Sequence, residues 1–282
     1  MRKPLTYFDQ FDGSKNYVIR DAAAFEKIPA RYRPMYCLYE VTLFSHVPIS
    51  ENGDVFVVLS KFLSQHNSRI MLAPGSTPYG SAKGELLLRR SAAQRLLKAE
   101  KLLHGASADR YSFRITDAYR PLVLQRQHFK NVKIELFEKE GLDAEALYDR
   151  ALECISDPDL MPPHSTGGTL DLTIYDTTTG IDVPMGTLVD EVANHRVWTW
   201  SIPTHETEIR KNRSLLYFCM TKAGFVNCPT EWWHYSYGDQ EWALRKKKSS
   251  TLFTSIGCFY MLQIGDNNKT NNHQQRPRFN FV

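Results

Sequence analysis

Two short stretches of the chain alternate apolar and polar residues with a period of two. In YSFRITD, Tyr111, Phe113 and Ile115 alternate with Ser112, Arg114 and Thr116, which predicts a half-buried strand over 111–116. In TLDLTIYD, Leu170, Leu172 and Ile174 share one face, so a second strand carries Asp171 and Thr173 on its polar face. Helical spacing appears at Ala93, Leu96, Leu97 and Leu103 and predicts a helix over 91–104, with Ser91 and Gln94 as a capping box and Gly105 as its stop. Pro121 opens a further helix over 122–138, and another is expected over 144–154. Leu215, Leu216, Cys219, Met220 and Ala223 form the apolar stripe of a helix over 214–223, stopped by Gly224.

The remaining patterns are less regular. Two apolar runs around Asn52-Gly53 predict a β-hairpin or a longer β connection. Loops are expected at 74–78, in the proline- and glycine-rich stretch before Leu170, and up to about Thr207. FVNCPTEWWHYSY reads as a β segment interrupted at Pro229. TLFTSIGCFYMLQI is apolar but only 14 residues long, so a strand is expected there, and the Asn/Gln-rich residues that follow read as disordered. The chain has no internal repeat.

Composition narrows the class. With 282 residues, 42% hydrophobic and 23% charged, the chain suits a globular protein with a substantial core. Five scattered cysteines without a CxxC pair argue against a disulfide framework and a thiolate zinc site. No secretory signal or membrane-spanning run is present, so a cytoplasmic protein is expected. The net charge of +4 divides into +6 for residues 244–282 and −2 for the rest. The body therefore has no broad basic surface for nucleic acid, and the basic excess reads as a solvated tail.

Chemistry concentrates in three places. His164 lies in the proline- and glycine-rich loop, and Asp171 follows seven residues later on the polar side of a strand. Gly167-Gly168 lets the backbone fold tightly enough for both side chains to reach one point. His234 supplies a third donor from the aromatic segment, and two histidines with one carboxylate suit a catalytic zinc. Glu231, three residues earlier, could stand beside the metal and move a proton from its water to a leaving amine. Strict alternation would send Glu231 and His234 to opposite faces, so an irregular entry or a bulge is required. Arg120 could stabilise an oxyanion, with Asp117 orienting it or receiving a substrate ammonium. Taken singly, each has an ordinary role: loop histidine, turn aspartate, surface ion pair, or aromatic core in the case of Trp232-Trp233. His205-Glu206 resembles the start of HExxH, but Ile209 stands where the second histidine would be.

In combination, DAYRP at 117–121, HSTGGTLD at 164–171, MGTLVDE at 185–191 and the long block from Asn212 to Ala243 resemble the D-alanyl-D-alanine dipeptidases of the VanX type. These belong to a wider zinc peptidase family that includes bacterial DD-carboxypeptidases. The resemblance covers roughly residues 79–243 and keeps both H-x6-D and E-x-x-H. It implies one zinc held by His164, Asp171 and His234, with Glu231 as general base and acid and Arg120 steadying the transition state. It also implies an α+β fold, helices packed on a small, mainly antiparallel central sheet. The implied reaction is hydrolysis of a small dipeptide, D-Ala-D-Ala, with Asp117, Tyr119 and Trp233 as substrate contacts. One departure is Pro162, which stands where the family often has serine. The resulting organisation is an N-terminal extension over 1–78, a catalytic domain over 79–245 and a basic tail over 246–282. The alternatives are a DD-carboxypeptidase acting on peptidoglycan stems and a non-catalytic zinc-bearing binding protein.

Overall fold

A computed structural model describes residues 47–73, 85–152, 154–191 and 195–255, together with residues 18–19, 27 and 37–38. The expected loop at 74–78 and the Asn/Gln-rich tail lie outside the described residues. Strands β1 (Val18–Ile19) and β2 (Cys37–Leu38) form a separate parallel pair. Strand β3 (Phe56–Val58) leads directly into helix α1 (Leu59–Gln65) and pairs antiparallel with β5 (Leu87–Arg89).

Among the described residues the main sheet has five strands. Their order is β4 (Met71–Leu72), β6 (Tyr111–Asp117), β7 (Leu170–Asp176), β9 (His234–Ser236) and β8 (Val226–Asn227). The β4–β6 pair is parallel and the other pairs are antiparallel. The fold is therefore mixed helix and strand around a mainly antiparallel sheet, as expected.

Helices α2 (Arg90–Ser107) and α5 (Thr207–Ala223) pack against each other and against the apolar face of that sheet. From α2, Ala92, Ala93, Leu96, Ala99 and Leu103 are fully buried, a spacing that keeps one stripe inward. Leu216, Cys219, Met220 and Ala223 do the same on α5, facing Phe113, Ile115, Leu170, Leu172 and Ile174 of the strands. Each such leucine contributes roughly 1.5–3 kcal/mol by leaving water. Glu100 also points inward from α2, where it accepts from Ser68 Oγ, Arg69 N and Ser112 Oγ. Helices α3 (Leu122–Glu140) and α4 (Ala144–Leu152) form a smaller pair around Phe129, Leu136 and Ala151.

Several expectations change. The hairpin at Asn52-Gly53 is not formed in its described part, because β3 takes β5 as its partner. Ser91 does not cap α2; its backbone N–H is satisfied by Asp54 Oδ2 at 2.9 Å, 37 residues away in sequence. The helix runs through Gly105 and ends at Ala108, whose φ of 49° provides the left-handed cap. Helix α5 begins seven residues before the predicted start. Residues 251–255 of the expected late strand are irregular and bond to other loops instead. Among the described residues, no helix is long and apolar enough to cross a membrane.

Asp176 closes the turn after β7. It accepts from Thr178 N at 2.9 Å, Thr178 Oγ1 at 2.6 Å and Arg110 Nε at 2.7 Å. The Thr178 hydroxyl, then Arg110, bring its carboxyl down to about 2. A folded pKa below the unfolded one stabilises above about 4 and loses that contribution as pH falls toward the folded value. Asp176→Asn is therefore expected to lower the thermal midpoint at neutral pH and to flatten its fall between about pH 4 and pH 2. Thermal melts across that range check this; an unchanged slope there rejects the assignment.

Candidate metal centre

Sheet register builds the site. Asp117 of β6 lies opposite Asp171 of β7, and Asp171 lies opposite His234 of β9. The β6–β7 pairing shifts between Ile115 and Asp117, so Thr116 is an extra residue that brings Asp117 into this row. Two carboxylates facing each other across a strand pair repel, so the row requires nearby positive charge.

His164 reaches the same row from the 3₁₀ turn Pro163–Thr166. The turn closes onto β7 through Gly167, at φ 74°, and Gly168. A Cβ at Gly167 would lie 2.3 Å from the Phe56 ring, and one at Gly168 would lie 2.0 Å from Tyr237 O. Both positions therefore need glycine, for contact as much as for conformation. His164 Nδ1 lies 2.6 Å from the Ala118 carbonyl oxygen, so it carries the donated hydrogen. Its Nε2 is left free as a ligand and faces Asp171 Oδ2 at 3.1 Å.

His234 completes the set. Its Nδ1 lies 3.1 Å from Asp171 Oδ1, and its Nε2 lies 3.4 Å from Ser236 Oγ. The His164 and His234 rings stand edge to face, 5.0 Å between centroids. One donor atom each from His164, Asp171 and His234 fall within 4.8 Å of one another, and all three residues are buried. Donors around a tetrahedral ion with bonds of about 2.1 Å sit roughly 3.4 Å apart, so little movement is needed. Asp171 Oδ1 is buried, yet the His234 approach does not give it a well-directed hydrogen bond. A buried carboxylate oxygen left in this state fits a cation, as does a donor set of two imidazoles and one carboxylate.

The electrostatics agree. Burial alone would raise the Asp171 carboxyl, but His164 and His234 outweigh it and hold it well below the usual carboxylate range. Burial opposes charge on His234, and Asp171 followed by Glu231 overcomes it, raising the imidazole to about 10. In effect a proton stabilises what a metal ion would.

Glu231 is not on the strand. It sits in the turn before β9, where His234 N–H donates to Glu231 O at 3.3 Å. That turn removes the parity problem and brings Glu231 Oε2 to 3.4 Å from His234 Nδ1. Asn227 Nδ2 fixes the turn by donating to the carbonyls of Glu231 and His234, both at 3.0 Å. The Glu231 side chain is 28% exposed, so it opens outward from a buried setting. Burial pushes its carboxyl up to about 7, with Asp171 and Asp190 adding and His234 opposing.

Arg120 is held on both sides. It donates through Nε and Nη2 to Asp117 Oδ2, at 3.1 and 2.5 Å, and through Nη1 to Gln125 Oε1 at 3.0 Å. Asp117 therefore orients the arginine. Tyr119 and Trp233, expected as substrate contacts, are both buried, as are the three donors. Tyr119 is fully enclosed with Phe56, Val58 and Leu87, and Trp233 packs edge-on against Trp232 in the core.

Asp190 carries no role in the sequence reading, although MGTLVDE was noted. Its φ of 59° places it in the left-handed region. Although the residue is exposed to solvent, crowding by neighbouring atoms, then Asp171 and Asp117, raise its carboxyl, while Arg120 and His164 oppose. The loop bearing it is pinned from beneath. The buried Arg213 donates to the carbonyls of Met185, Trp198 and Arg196 at 2.7–2.8 Å, and Trp232 Nε1 donates to Thr187 Oγ1 at 2.8 Å. Glu206 of the rejected HE pair is bonded bidentately to Arg196.

Comparison with known proteins bears on the same residues. A family model described as D-ala-D-ala dipeptidase, of the M15 peptidases, matches residues 76–251. A D-alanyl-D-alanine dipeptidase from Synechocystis sp. is 30% identical over 195 residues, covering 60% of this chain and 73% of that protein. One from Enterococcus faecium is 33% identical over 156 residues, covering 52% of this chain and 71% of that protein. A third, from Streptomyces coelicolor, is 36% identical over 81 residues, covering 27% of this chain and 37% of that protein.

Proposed function

The chain belongs to the D-Ala-D-Ala dipeptidase family of M15 peptidases, enzymes of peptide hydrolysis, and from that premise we propose that it cleaves the free dipeptide D-Ala-D-Ala at a zinc ion held by His164, Asp171 and His234. The supporting observation is the convergence of those three donors with Glu231 Oε2 standing 3.4 Å from a ligand nitrogen. When bound, zinc supplies a Lewis acid that polarises a carbonyl and makes water more acidic.

The chain's own groups do the rest. Glu231 accepts the proton of the attacking water and returns it to the departing amine; a pKa near neutrality suits both halves of that transfer. Arg120, fixed by Asp117 and Gln125, directs positive charge at the carbonyl oxygen as it becomes an oxyanion. Because Asp117 is committed to Arg120, Asp190 is the carboxylate left to meet the substrate's ammonium group. Pro162 cannot offer the hydroxyl often found at that position, so the substrate carboxylate relies on other donors.

The test is an assay of the purified, zinc-loaded chain against D-Ala-D-Ala, N-acetyl-D-Ala-D-Ala, L-Ala-L-Ala and a pentapeptide stem. D-Ala-D-Ala is expected to exceed each of the others in kcat/KM by about 100-fold or more, since N-acetylation or a longer stem removes the nearby ammonium and the L,L-dipeptide cannot place its termini and scissile carbonyl together. Faster cleavage of the stem would assign a DD-carboxypeptidase. Zinc binding with no turnover of any D,D-peptide would assign a binding protein, a reading that leaves Glu231 and Arg120 without a purpose.

A further inference from the structure

Arg89 is a buried arginine outside the catalytic constellation, and its hydrogen bonds join the loop that carries His164 to Glu51 and Asp54. Its backbone N–H donates to Gly167 O at 2.8 Å, and its Nε donates to Thr166 O at 2.9 Å. The far end of the guanidinium is gripped by Glu51, with Nη1 to Oε1 at 3.0 Å and Nη2 to Oε2 at 2.8 Å. Asp54 O takes a further bond from Nη1 at 2.6 Å. The guanidinium plane lies between two rings, 4.6 Å from the Phe56 centroid and 4.9 Å from that of Phe253. The cation is therefore held by carbonyls, a carboxylate and two rings, and the arginine is 3% exposed.

Glu51 and Phe253 lie outside residues 76–251, the stretch matched by the family model. The two flanking segments are bonded to each other across the loop. Thr254 N donates to Glu51 Oε2 at 3.1 Å, Asn52 N donates to Leu252 O at 2.9 Å, and Thr251 N donates to Pro48 O at 3.0 Å. The later segment also touches the loop directly, where Ser255 Oγ lies 2.6 Å from Ser165 Oγ, one residue after His164. Phe253 N and Leu252 N both donate to Gly238 O, and Tyr237 N donates to Gly168 O. The loop is thus bonded both to the later segment and to the residue that follows β9.

We infer that residues 47–54 and 251–255 form a clasp over Arg89 that fixes the His164 loop, making Arg89 and Glu51 positioning residues for the metal ligand. The inference rests on the metal reading of His164, Asp171 and His234. The physical case is the length of the lever. His164 enters the site from a four-residue turn whose own hydrogen bonds do not fix its distance from Asp171. Arg89 ties that turn to β5, and Glu51 prevents the long arginine from swinging away. A bidentate carboxylate holds a guanidinium in one plane, which lysine or a lone carbonyl cannot do.

The test uses the full chain with Glu51→Gln, which keeps shape and removes the charge of the fork. Zinc affinity is read by competition with a chelator, and ligand geometry is read from the visible absorption of the cobalt(II)-loaded protein. The variant is expected to bind zinc about 10-fold or more weakly, the size of effect seen when outer partners of metal ligands are lost. Its cobalt spectrum is expected to shift in band position or intensity. Zinc affinity and cobalt spectrum both unchanged would overturn the inference, even if the thermal midpoint falls, because a purely structural role predicts that outcome. Should Glu51→Gln fail to fold, Ser255→Ala decides on the same two readouts, with a smaller shift in the same direction. No substrate enters either measurement. A chain that binds zinc through the clasped loop but cleaves no D,D-dipeptide overturns the proposed reaction alone, and one that binds no zinc overturns the metal reading itself.

Discussion

Glu231→Gln is expected to lower kcat by about 10²–10⁴-fold while leaving one zinc per chain. The carboxylate stands in a turn, outside the three-donor row, and its nearest site contact is a ligand nitrogen at 3.4 Å. Glutamine keeps the size, and the backbone bonds from Asn227 and His234 that shape the turn do not involve the side chain. The metal ligands therefore keep their positions. What is lost is a proton acceptor. The wild-type carboxyl is pushed up to about 7 by burial, with its acidic neighbours adding, so it can accept a proton near neutral pH and release it within the same turnover. An amide can do neither. Steady-state kinetics together with zinc content by atomic absorption check the prediction. Turnover within tenfold of wild type, at full zinc content, would remove Glu231 from the reaction.

The turn that makes this possible shows what the sequence could and could not reveal. Residue types and order pointed to His164, Asp171, His234, Glu231 and Arg120, because short-range chemistry is written in local spacing. The strands 111–116 and 170–174 were readable from period-two alternation, and the structure extends them to Asp117 and Asp176. Parity between Glu231 and His234 was not readable, since it depends on where the β9 ladder begins. That point is set by pairing to β7, 63 residues earlier at Asp171–His234. The cap of α2 failed for the same reason: Ser91 offered a plausible local partner, but Asp54 arrives from another segment. Nothing in MGTLVDE marks which acidic residue lies within electrostatic reach of Asp171 and Arg120; the left-handed backbone at Asp190 and the grip of Arg213 on its loop are tertiary facts. Tyr119 and Trp233, next to Arg120 and His234 in sequence, are buried. Aromatic residues beside functional ones look like pocket walls, and their packing among Phe56, Val58, Leu87 and Trp232 is visible only in the folded chain.

Asp171→Asn is expected to abolish metal binding. Asp171 is the middle of the row, opposite Asp117 on one side and His234 on the other, and each of its oxygens lies 3.1 Å from an imidazole nitrogen. Asparagine fits the same space but removes the only charge among the three donors, leaving two neutral imidazoles and an amide oxygen to hold a dication. Wild-type protein with free zinc at 1,000 times its dissociation constant should gain about 4 kcal/mol, raising the thermal midpoint by on the order of 10 °C. The Asp171→Asn chain should show no zinc-dependent rise at the same concentration. Glu231→Gln, under identical conditions, should show the full rise. Both variants would be inactive, so turnover cannot tell a lost base from a lost ligand; the zinc-dependent melt can. A wild-type rise in Asp171→Asn would mean that the ion sits elsewhere, and that the convergence of these three side chains has another cause.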